Sequence, residues 1–300
     1  MTLDQLRIFI AVAERQHITQ AAAVLNRTQS AVSAAISALE KRHGVRLFDR
    51  LGRRIALTAA GKTFLDEAKE LVARSKATEQ VLADLAELKI GSLSLAASQT
   101  IGNYWLPPRL HRFAQSYPGV SIRLAIGNTQ EVAELVASGE IDLGFVEGEV
   151  RDASLATRAV DDDQLVIVAA PDMKIPRKPD TAWLTTAPWV AREAGSGTRE
   201  AFETALGKFG VRLAERRIVL ELPSNESVRA AVEAGAGLGI MSQLVADSSL
   251  RSGALVALPL QLAKRRFYSV RHKQRYLSLA ARSLLKVSGA DFLALKPPDS

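Results

Sequence analysis

The chain contains 300 residues, of which 47% are hydrophobic, so it is long enough for about two domains with ordinary buried cores. It contains no cysteine, which excludes disulfide bonds, thiolate metal sites and thiol nucleophiles. No apolar run approaches the roughly 20 residues of a membrane span, and the opening MTLDQLRIF lacks the basic and apolar regions of a signal peptide. These features predict a cytoplasmic protein with no membrane contact.

Positive charge is concentrated in the first fifth of the chain. The net charge is +7, and residues 1–62 carry ten lysines and arginines against four aspartates and glutamates. A local excess of this kind favours binding to a polyanion such as a nucleic acid, through release of counterions. An ordinary basic surface in solvent explains the same charges equally well, so charge alone leaves both interpretations open.

Three short helical patterns and a hairpin follow one another in this basic region. Thr28 is the predicted N-cap of the third helix, and two short strands at 45–48 and 55–57 follow that helix. The polar face of the third helix carries hydrogen-bonding side chains, namely Gln29, Ser30, Ser33 and Ser37. The turn between the strands carries cations, namely Arg50, Arg53 and Arg54. A slim polar helix followed by a cationic hairpin fits the major groove and backbone of duplex DNA.

A long helix is predicted from Thr58 to about Leu88. Its apolar and small residues recur with the spacing of a coiled-coil seam, at Phe64, Ala68, Leu71, Ser75, Thr78, Leu82 and Leu85. About thirty residues of helix span roughly 45 Å, which is too long for a small domain to bury. Pairing with a second copy of the chain explains the seam and presents two reading helices to two half-sites. Packing of the helix along its own C-terminal part remains an alternative.

From residue 90 onward, strand patterns alternate with helix patterns, which predicts a mostly parallel α/β sheet. Strands at 92–98, 120–126 and 141–146 and helices at 103–116 and 131–137 belong to a predicted first lobe. A second lobe is predicted from strands at 164–169, 189–191, 217–222, 238–241 and 255–258. A strand at 267–271 and a helix at 277–287 return to the first. The inferred form is a two-lobed domain like a periplasmic binding protein, with lobe I at about 90–161 and 268–300 and lobe II at about 162–267.

Polar side chains follow the carboxyl ends of three predicted strands, which is where open α/β sheets bind ligands. The candidates are Ser98, Thr100, Asn128, Thr129, Ser196 and Thr198. Helices begin near these positions, and helix N-termini favour negative charge, so the group would suit a small oxyanion or carboxylate. Arg192 and Arg199 could add positive charge. Helix capping alone explains each position taken singly, so both interpretations stay open.

Three segments near the N-terminus resemble the LysR-type transcriptional regulators. They are LDQLRIFIAVAE, ITQAAAVLNRTQSAVSAAISALEKRHGVRLFDR and LTAAGKTFL, which match in order and spacing. The resemblance implies an all-α winged helix-turn-helix at 1–58, a linker and dimerisation helix at 59–89, and a two-lobed effector-binding domain at 90–300. It also implies DNA contacts by wing and helix residues, namely Thr28, Gln29, Ser30, Ser33, Arg50 and Arg53.

The chain departs from the family pattern at the reading helix. Family members often carry proline in place of Ser30 and a long polar or cationic residue in place of Ala34 and Ala35. Sequence specificity is therefore expected to rest on Gln29, Ser33, Ser37 and DNA shape. The segment SQTIGNYWLP at 98–107 resembles members that sense small sulfur oxyanions and others that govern carbon fixation, which implies sulfite or sulfate as the ligand.

Several other features favour a structural interpretation. The basic run at 264–275 is interpreted as an edge strand with solvated charges, and the triplet Asp161-Asp162-Asp163 as a solvated turn. Contact with an anion or DNA for the first, and a bound cation for the second, remain alternatives. The glycines of the segment 235–239 imitate a dinucleotide loop, but they precede a strand, which is the wrong order for phosphate binding. The four histidines have no metal-ligand or triad spacing.

The sequence therefore predicts a DNA-binding regulator that responds to a small anionic effector, acts as a homodimer or homotetramer, needs no cofactor or metal, and is not an enzyme. An α/β enzyme with an accessory helical domain is the second hypothesis, and steady substrate turnover would support it. A solute-binding protein is the third, which the N-terminal helices and the missing export signal oppose.

Overall fold

The computed structural model describes residues 1–51, 54–85, 91–148, 150–211 and 217–289. The chain divides into two compact units, of which the first is Met1–Leu82 with Ser138–Glu140, and the second is Ala83–Ala137 with Ile141–Ser300. None of the described helices is long and apolar enough to cross a membrane.

The described elements alternate between helix and strand after an all-helical start. The α-helices are α1 (Leu3–Arg15), α2 (Ile18–Val24), α3 (Gln29–His43), α4 (Ala59–Leu85), α5 (Pro107–Ser116), α6 (Thr129–Ser138), α7 (Thr181–Thr186), α8 (Gly197–Lys208), α9 (Asn225–Glu233), α10 (Gln243–Ser252) and α11 (Leu279–Val287). The strands are β1 (Phe48–Leu51), β2 (Arg54–Leu57), β3 (Gly91–Ser98), β4 (Val120–Gly127), β5 (Leu143–Glu147), β6 (Leu155–Asp163), β7 (Leu165–Ala169), β8 (Pro188–Arg192), β9 (Arg217–Leu222), β10 (Leu238–Ser242), β11 (Val256–Ala257) and β12 (Arg265–His272).

The first unit is a three-helix bundle followed by a two-stranded wing. Thr2 and Gln5 form a capping box at the start of α1, in which the Thr2 hydroxyl accepts the Gln5 N–H at 3.2 Å and the Gln5 side chain accepts the Thr2 N–H at 3.0 Å. Phe9 is fully buried, and its ring lies 5.4 Å from that of Phe48 in β1 and 4.9 Å from that of Phe64 in α4. These aromatic contacts hold the wing and the start of α4 against the bundle.

The wing begins later than the pattern predicts, since β1 starts at Phe48 rather than at residue 45. The carboxylate of Glu40, near the end of α3, accepts the N–H of Leu47 at 2.7 Å and that of Phe48 at 3.2 Å. These two bonds tie the start of the wing to the end of α3. Gly52, which the sequence assigns to the turn, lies outside the described residues.

The long helix α4 begins where the sequence predicts. The hydroxyl of Thr58 accepts the N–H of Gly61 at 2.9 Å, which caps the first turn. Ala68 is 1% exposed within the core of the first unit, and Phe64 packs against the same core. These two positions of the heptad seam are therefore already used inside one copy of the chain.

The second unit contains two five-stranded mixed sheets, which we call lobe I and lobe II. The strand order is β4-β3-β5-β12-β6 in lobe I and β11-β7-β10-β8-β9 in lobe II. β3 is parallel to β4 and β5, and β8 is parallel to β9 and β10, whereas β12 and β7 are antiparallel to their neighbours. This architecture confirms the predicted two-lobed α/β fold, with antiparallel strands added to each sheet.

The basic strand β12 lies inside the sheet, so the prediction of an edge strand is wrong. It pairs with β5 on one side and with β6 on the other. The register places Arg265 opposite Asp163 and Arg266 opposite Asp162, so cations and carboxylates face each other across the ladder. The acidic triplet is therefore the end of β6, and its interpretation as a solvated turn is wrong as well.

A π-helix, Ile101–Trp105, follows β3 and precedes α5, where the sequence predicts a single helix. Short π-helices often mark functional sites, because they offset side chains from the regular helical positions. Here Tyr104 packs against the apolar cluster of lobe II, and its hydroxyl donates to Oε1 of Glu226 at 2.7 Å. The π-helix thus brings an aromatic side chain of lobe I onto lobe II.

Candidate functional site

The polar face of α3 is accessible in the first unit. Four of its five predicted DNA contacts are exposed and one, Ser33, is half-buried. Thr28 caps the helix as predicted, since its hydroxyl accepts the N–H of Ala31 at 3.2 Å. A second contact of 3.1 Å joins the hydroxyls of Thr28 and Ser30. Within the described part of the chain, these are the only hydrogen bonds of the five side chains, so Gln29, Ser33 and Ser37 keep their groups for an external partner.

The basic residues around this face are partly described. Arg50 lies in β1 opposite Ile55, and Arg53 lies outside the described residues. Lys41 and Arg42 are exposed in the last turn of α3, where cations are favoured by the helix dipole. Ala34 is exposed on the same helix, which leaves part of that surface apolar. The face is therefore polar at its N-terminal end and cationic at its C-terminal end.

The candidate ligand residues of the second unit meet where the two lobes face each other. Thr100 is fully buried, and its hydroxyl accepts hydrogen bonds from Nδ2 of Asn225 at 3.0 Å and from Nη2 of Arg265 at 3.3 Å. Thr198, on α8 of lobe II, accepts from Nη1 of the same arginine at 3.1 Å. Thr100 and Thr198, predicted separately from two strand ends, are thus joined by one guanidinium group.

Thr129 and Ser196 lie in the same region but already have protein partners. The Thr129 hydroxyl donates to the backbone oxygen of Glu147 at 2.9 Å. Ser196 accepts the N–H of Thr198 at 3.2 Å as the N-cap of α8. Each hydroxyl keeps further bonding capacity, because a hydroxyl has one donor and two acceptor positions. The capping interpretation therefore holds for Ser196 without excluding a ligand.

Asn128 is a half-buried helix cap. Its side-chain oxygen accepts the N–H of Glu131 at 2.9 Å, and the Glu131 carboxylate accepts the N–H of Asn128 at 2.8 Å. This reciprocal pair starts α6 and places Asn128 at the rim of the inter-lobe region, whereas Ser98, Thr100 and Thr198 are buried.

Arg265, which belongs to the basic run at 264–275, is the central residue of this region. Its side chain is 8% exposed, and its Nε donates to Oδ2 of Asp163 at 2.6 Å. Oδ1 of Asp163 accepts from the hydroxyl of Ser242 in lobe II at 2.6 Å. Burial raises the pKa of the Asp163 carboxyl, although Arg265 and Ser242 act in the opposite direction. The pair stands at the two crossings between the lobes, after β6 and before β12.

Two polar atoms at the carboxyl ends of β3 and β5 are enclosed without a hydrogen-bond partner among the described residues. They are Oε1 of Glu147, which lies 3.7 Å from Nη2 of Arg265, and Oγ of Ser98. Buried polar atoms are normally paired, and an unpaired one costs about 1–3 kcal/mol. Such atoms at the ends of neighbouring strands β3 and β5 indicate a place for a ligand.

The other two arginines considered from the sequence are committed to nearby carboxylates. Arg192 forms two hydrogen bonds of 2.7 Å to Glu193, and its Nη1 donates to Asn225 at 2.7 Å. Burial raises the pKa of Glu193, but the hydrogen bonds and charge of Arg192, together with hydrogen bonds from the backbone and Asn128, lower it overall. Arg199 is paired with Glu203 at 2.7 Å. Arg192 thus orients Asn225 towards Thr100 rather than facing a ligand directly.

Side chains close the lobes on each other around this group. Gln99 donates to the backbone oxygen of Pro223 at 2.9 Å and accepts the N–H of Asn225 at 2.8 Å. Gly197 of α8 lies so near lobe I that an added Cβ would collide with the backbone oxygen of Glu147 and lie 2.8 Å from Oγ1 of Thr129. The lobes therefore meet in a closed arrangement with little room between them.

Two cavities flank Gly197 and differ in charge. One of about 490 Å³ is lined by more carboxylates than arginines, namely Glu134, Asp152, Glu200 and Glu203 against Arg151 and Arg199. The other, of about 340 Å³, is lined by Arg265, Lys264 and Lys208 against one carboxylate, Glu200. The second cavity suits an approaching anion better, because its wall holds more cations than carboxylates and includes Arg265.

A helix-turn-helix unit with a wing and a two-lobed α/β unit with a buried polar cleft define a transcription regulator that responds to a small molecule. Residues 3–62 match the model of the bacterial regulatory helix-turn-helix protein, lysR family, and residues 86–292 match that of the LysR substrate binding domain. The chain is also 36% identical over 288 residues to the uncharacterized HTH-type transcriptional regulator YeiE of Escherichia coli (strain K12), covering 95% of this chain and 96% of that protein. The protein belongs to the LysR family of DNA-binding transcriptional regulators, and is not an enzyme.

Solved structures agree with this assignment. Full-length CbnR complexed with its target DNA superposes with a TM-score of 0.64 at 23% identity, covering 96% of this chain and 97% of that one, which supports the fold. The regulatory domain of CcmR from Synechocystis PCC6803, solved in complex with 2-PG, gives a TM-score of 0.59 at 29% identity over 66% of this chain and 95% of that one.

Some residues of the inter-lobe region that the sequence did not predict as ligand residues do have a recognisable sequence signal. The acidic triplet ending β6 and the basic run opening β12 are complementary in charge, but about a hundred residues separate them. Glu147 ends a buried apolar strand, which is an unusual place for a carboxylate. Nothing in the local pattern around Asn225 distinguishes it from an ordinary residue at the start of a helix.

Proposed function

We propose that this LysR-family regulator binds a small anionic effector between lobes I and II, and that the effector changes its affinity for promoter DNA. The proposed ligand residues are Ser98, Thr100, Thr129, Ser196, Thr198 and Arg265, with Asn128 at the rim. The observation that carries the proposal is the guanidinium of Arg265, which is hydrogen-bonded to Thr100 of lobe I and to Thr198 of lobe II. A ligand bound there interacts with both lobes at once.

The proposed DNA contacts are the five polar residues on α3 and the wing arginines. They are Thr28, Gln29, Ser30, Ser33, Ser37, Arg50 and Arg53. The exposed, unpaired side chains of α3 support base and phosphate contacts, because base edges are recognised through free donors and acceptors. The proposed location is the cytoplasm, where bacterial promoter DNA is found.

We further propose that α4 pairs two copies of the chain. Leu71, Leu82 and Leu85 of the seam are 45%, 65% and 77% exposed in one copy. A row of exposed leucines on one helix is best explained by a partner helix, which leaves a homodimer or a tetramer built from dimers. Closure of the lobes then alters DNA binding through the dimer, to the extent that the effector binds one arrangement more tightly than the other.

The experiment combines ligand binding with DNA binding on the full-length protein. Sulfite, sulfate, phosphate and small carboxylates are tested for a rise in melting temperature, since a ligand that binds only the folded state stabilises it. Each anion that binds is then added to a promoter-binding titration. The proposal requires at least one anion to change the DNA affinity, and Ser98→Ala or Thr198→Ala to reduce the ratio of affinities measured with and without it. An unchanged ratio in both variants contradicts the assignment of the cleft.

A further inference from the structure

Glu147 lies beside the central arginine of the cleft without sharing a hydrogen bond with it. Its side chain is 3% exposed, and its Oε1 is 3.7 Å from Nη2 of Arg265. This oxygen has no hydrogen-bond partner among the described residues. A carboxylate oxygen enclosed in this way needs a donor, because the charge has lost most of its contact with water. The donor has to come from the ligand or from water that the ligand displaces.

The guanidinium of Arg265 also has bonding capacity left. An arginine has five N–H donors in a planar fork. One donor from each nitrogen is used, by Asp163 on Nε, by Thr198 on Nη1 and by Thr100 on Nη2. One N–H on each terminal nitrogen is therefore available to an acceptor, and Nη2 lies 3.7 Å from Oε1 of Glu147.

We propose that the effector is an oxyanion that still carries a proton, with bare oxygens on the two free N–H groups of Arg265 and its O–H donating to Oε1 of Glu147. This inference rests on the proposed function, because it concerns the same cleft. It adds a requirement that anionic charge alone does not impose: the ligand must both accept and donate hydrogen bonds.

A fully deprotonated oxyanion does not meet this requirement. Sulfate has only acceptor oxygens, so one of them would face the carboxylate oxygen of Glu147 with no hydrogen between the two atoms. Like charges at such a distance repel strongly where water is excluded. Hydrogen phosphate or a protonated sulfite instead offers an O–H at this position, and the same contact becomes a charge-assisted hydrogen bond.

The test compares two tetrahedral dianions on the full-length protein. At a pH of about 8, hydrogen phosphate and sulfate have the same charge and similar size but differ by one proton. Isothermal titration calorimetry should show phosphate binding at least about tenfold more tightly than sulfate. Sulfate has no O–H to donate to the carboxylate of Glu147, so only sulfate leaves that carboxylate without a hydrogen bond. Sulfate binding as tightly as phosphate overturns the inference.

The variant Glu147→Gln separates the role of the carboxylate from that of general charge. Its amide has nearly the same shape but can donate to sulfate, so the affinity for sulfate should rise and the ratio between the two anions should fall to about one. Glu134→Gln, an exposed change on α6, removes a charge without touching this acceptor and should leave the ratio unchanged. An unchanged ratio in Glu147→Gln overturns the inference. If that variant does not fold, as judged by circular dichroism, the comparison of anions on the unmodified protein still decides.

The two proposals fail in different ways. If sulfate or a carboxylate binds and changes the DNA affinity while phosphate does not, the anionic effector stands and the required proton is refuted. If no anion binds, both the anionic effector and this inference are refuted.

Discussion

The reading face of α3 and the inter-lobe cleft are both rich in serine and threonine, but they use these hydroxyls in different ways. On α3 the side chains are exposed, and their hydrogen bonds reach at most three residues along the chain. In the cleft the hydroxyls are buried, and Arg265 joins residues that are 67 and 165 positions away from it. The first surface is available to a large external partner, whereas the second is part of the internal structure that a small ligand must enter.

The comparison predicts that cleft residues stabilise the fold and that DNA-face residues do not. Arg265→Ala has the largest expected effect, because it leaves the buried carboxylate of Asp163 without its cation, at a cost of about 3–5 kcal/mol in the free energy of unfolding. Urea denaturation followed by tryptophan fluorescence measures this, since the three tryptophans, at 105, 183 and 189, all lie in the second unit.

The neighbouring arginine provides a matched control for that change. The side chain of Arg266 is 66% exposed and lies 4.0 Å from Asp162, so Arg266→Ala should change the free energy of unfolding by less than about 0.5 kcal/mol. Equal effects of the two substitutions would mean that the buried network contributes no more than a surface ion pair.

Gly197→Ala tests whether the lobes must approach closely. The added Cβ meets the backbone oxygen of Glu147 and the hydroxyl of Thr129, so we expect a loss of about 1–3 kcal/mol together with weaker binding of anions. Gly207→Ala, in the same helix, meets no atom within 4 Å and should leave stability unchanged or raise it by up to about 1 kcal/mol. Normal anion affinity in Gly197→Ala would show that ligand binding does not need this contact.

Arg50→Ala and Arg53→Ala test the proposed DNA contacts of the wing. Each should weaken DNA binding by about tenfold across sequences and reduce the slope of affinity against salt by about one, while leaving the urea midpoint of the second unit unchanged. Fluorescence anisotropy at several salt concentrations measures both quantities. Arg251→Ala, whose side chain is 75% exposed in α10, is the control for a general loss of charge. If the wing variants behave like this control, the wing arginines do not contact DNA.

The smallest expected effect concerns the hydroxyl that links the π-helix to lobe II. Burial and the hydrogen bond to Glu226 raise the pKa of Tyr104 from 10.0 to about 12. The stability that this phenol contributes is therefore complete below pH 10.0 and is lost as the pH rises towards about 12. The pKa of Tyr276 is also raised, by its hydrogen bond to Asp84, so titration of phenolate absorbance should show more than one late tyrosine. The component near pH 12 should disappear in Tyr104→Phe and titrate earlier in Glu226→Gln. A titration curve that is the same in all three proteins would contradict this assignment.

The contrast between the two regions also explains what could be predicted from the sequence. The cap at Thr28 and the start of α3 follow from residues within one or two helical turns, so the local pattern is sufficient for them. Ser98, Thr100 and Thr198 could be selected because ligands collect at strand ends in α/β sheets.

The missed residues depend on pairing between distant strands. β6 was overlooked because its final aspartates favour a turn when they are considered without their partners in β12. Arg265 was assigned to solvent for the same reason, since only the interior position of β12 places it between the lobes. The carboxylate of Glu40 also binds the N–H groups of Leu47 and Phe48 at the start of β1. Local strand propensity contains no information about such a contact.

The interior position of β12 also has a consequence for the order in which the protein is made. Lobe II is a continuous stretch of chain and can fold as soon as it leaves the ribosome, whereas β5 and β6 of lobe I have no strand between them until residues 265–272 have been synthesised. Arg265 arrives with that same strand. During translation, all residues of the helix-turn-helix unit are therefore available long before the sheet of lobe I can be completed.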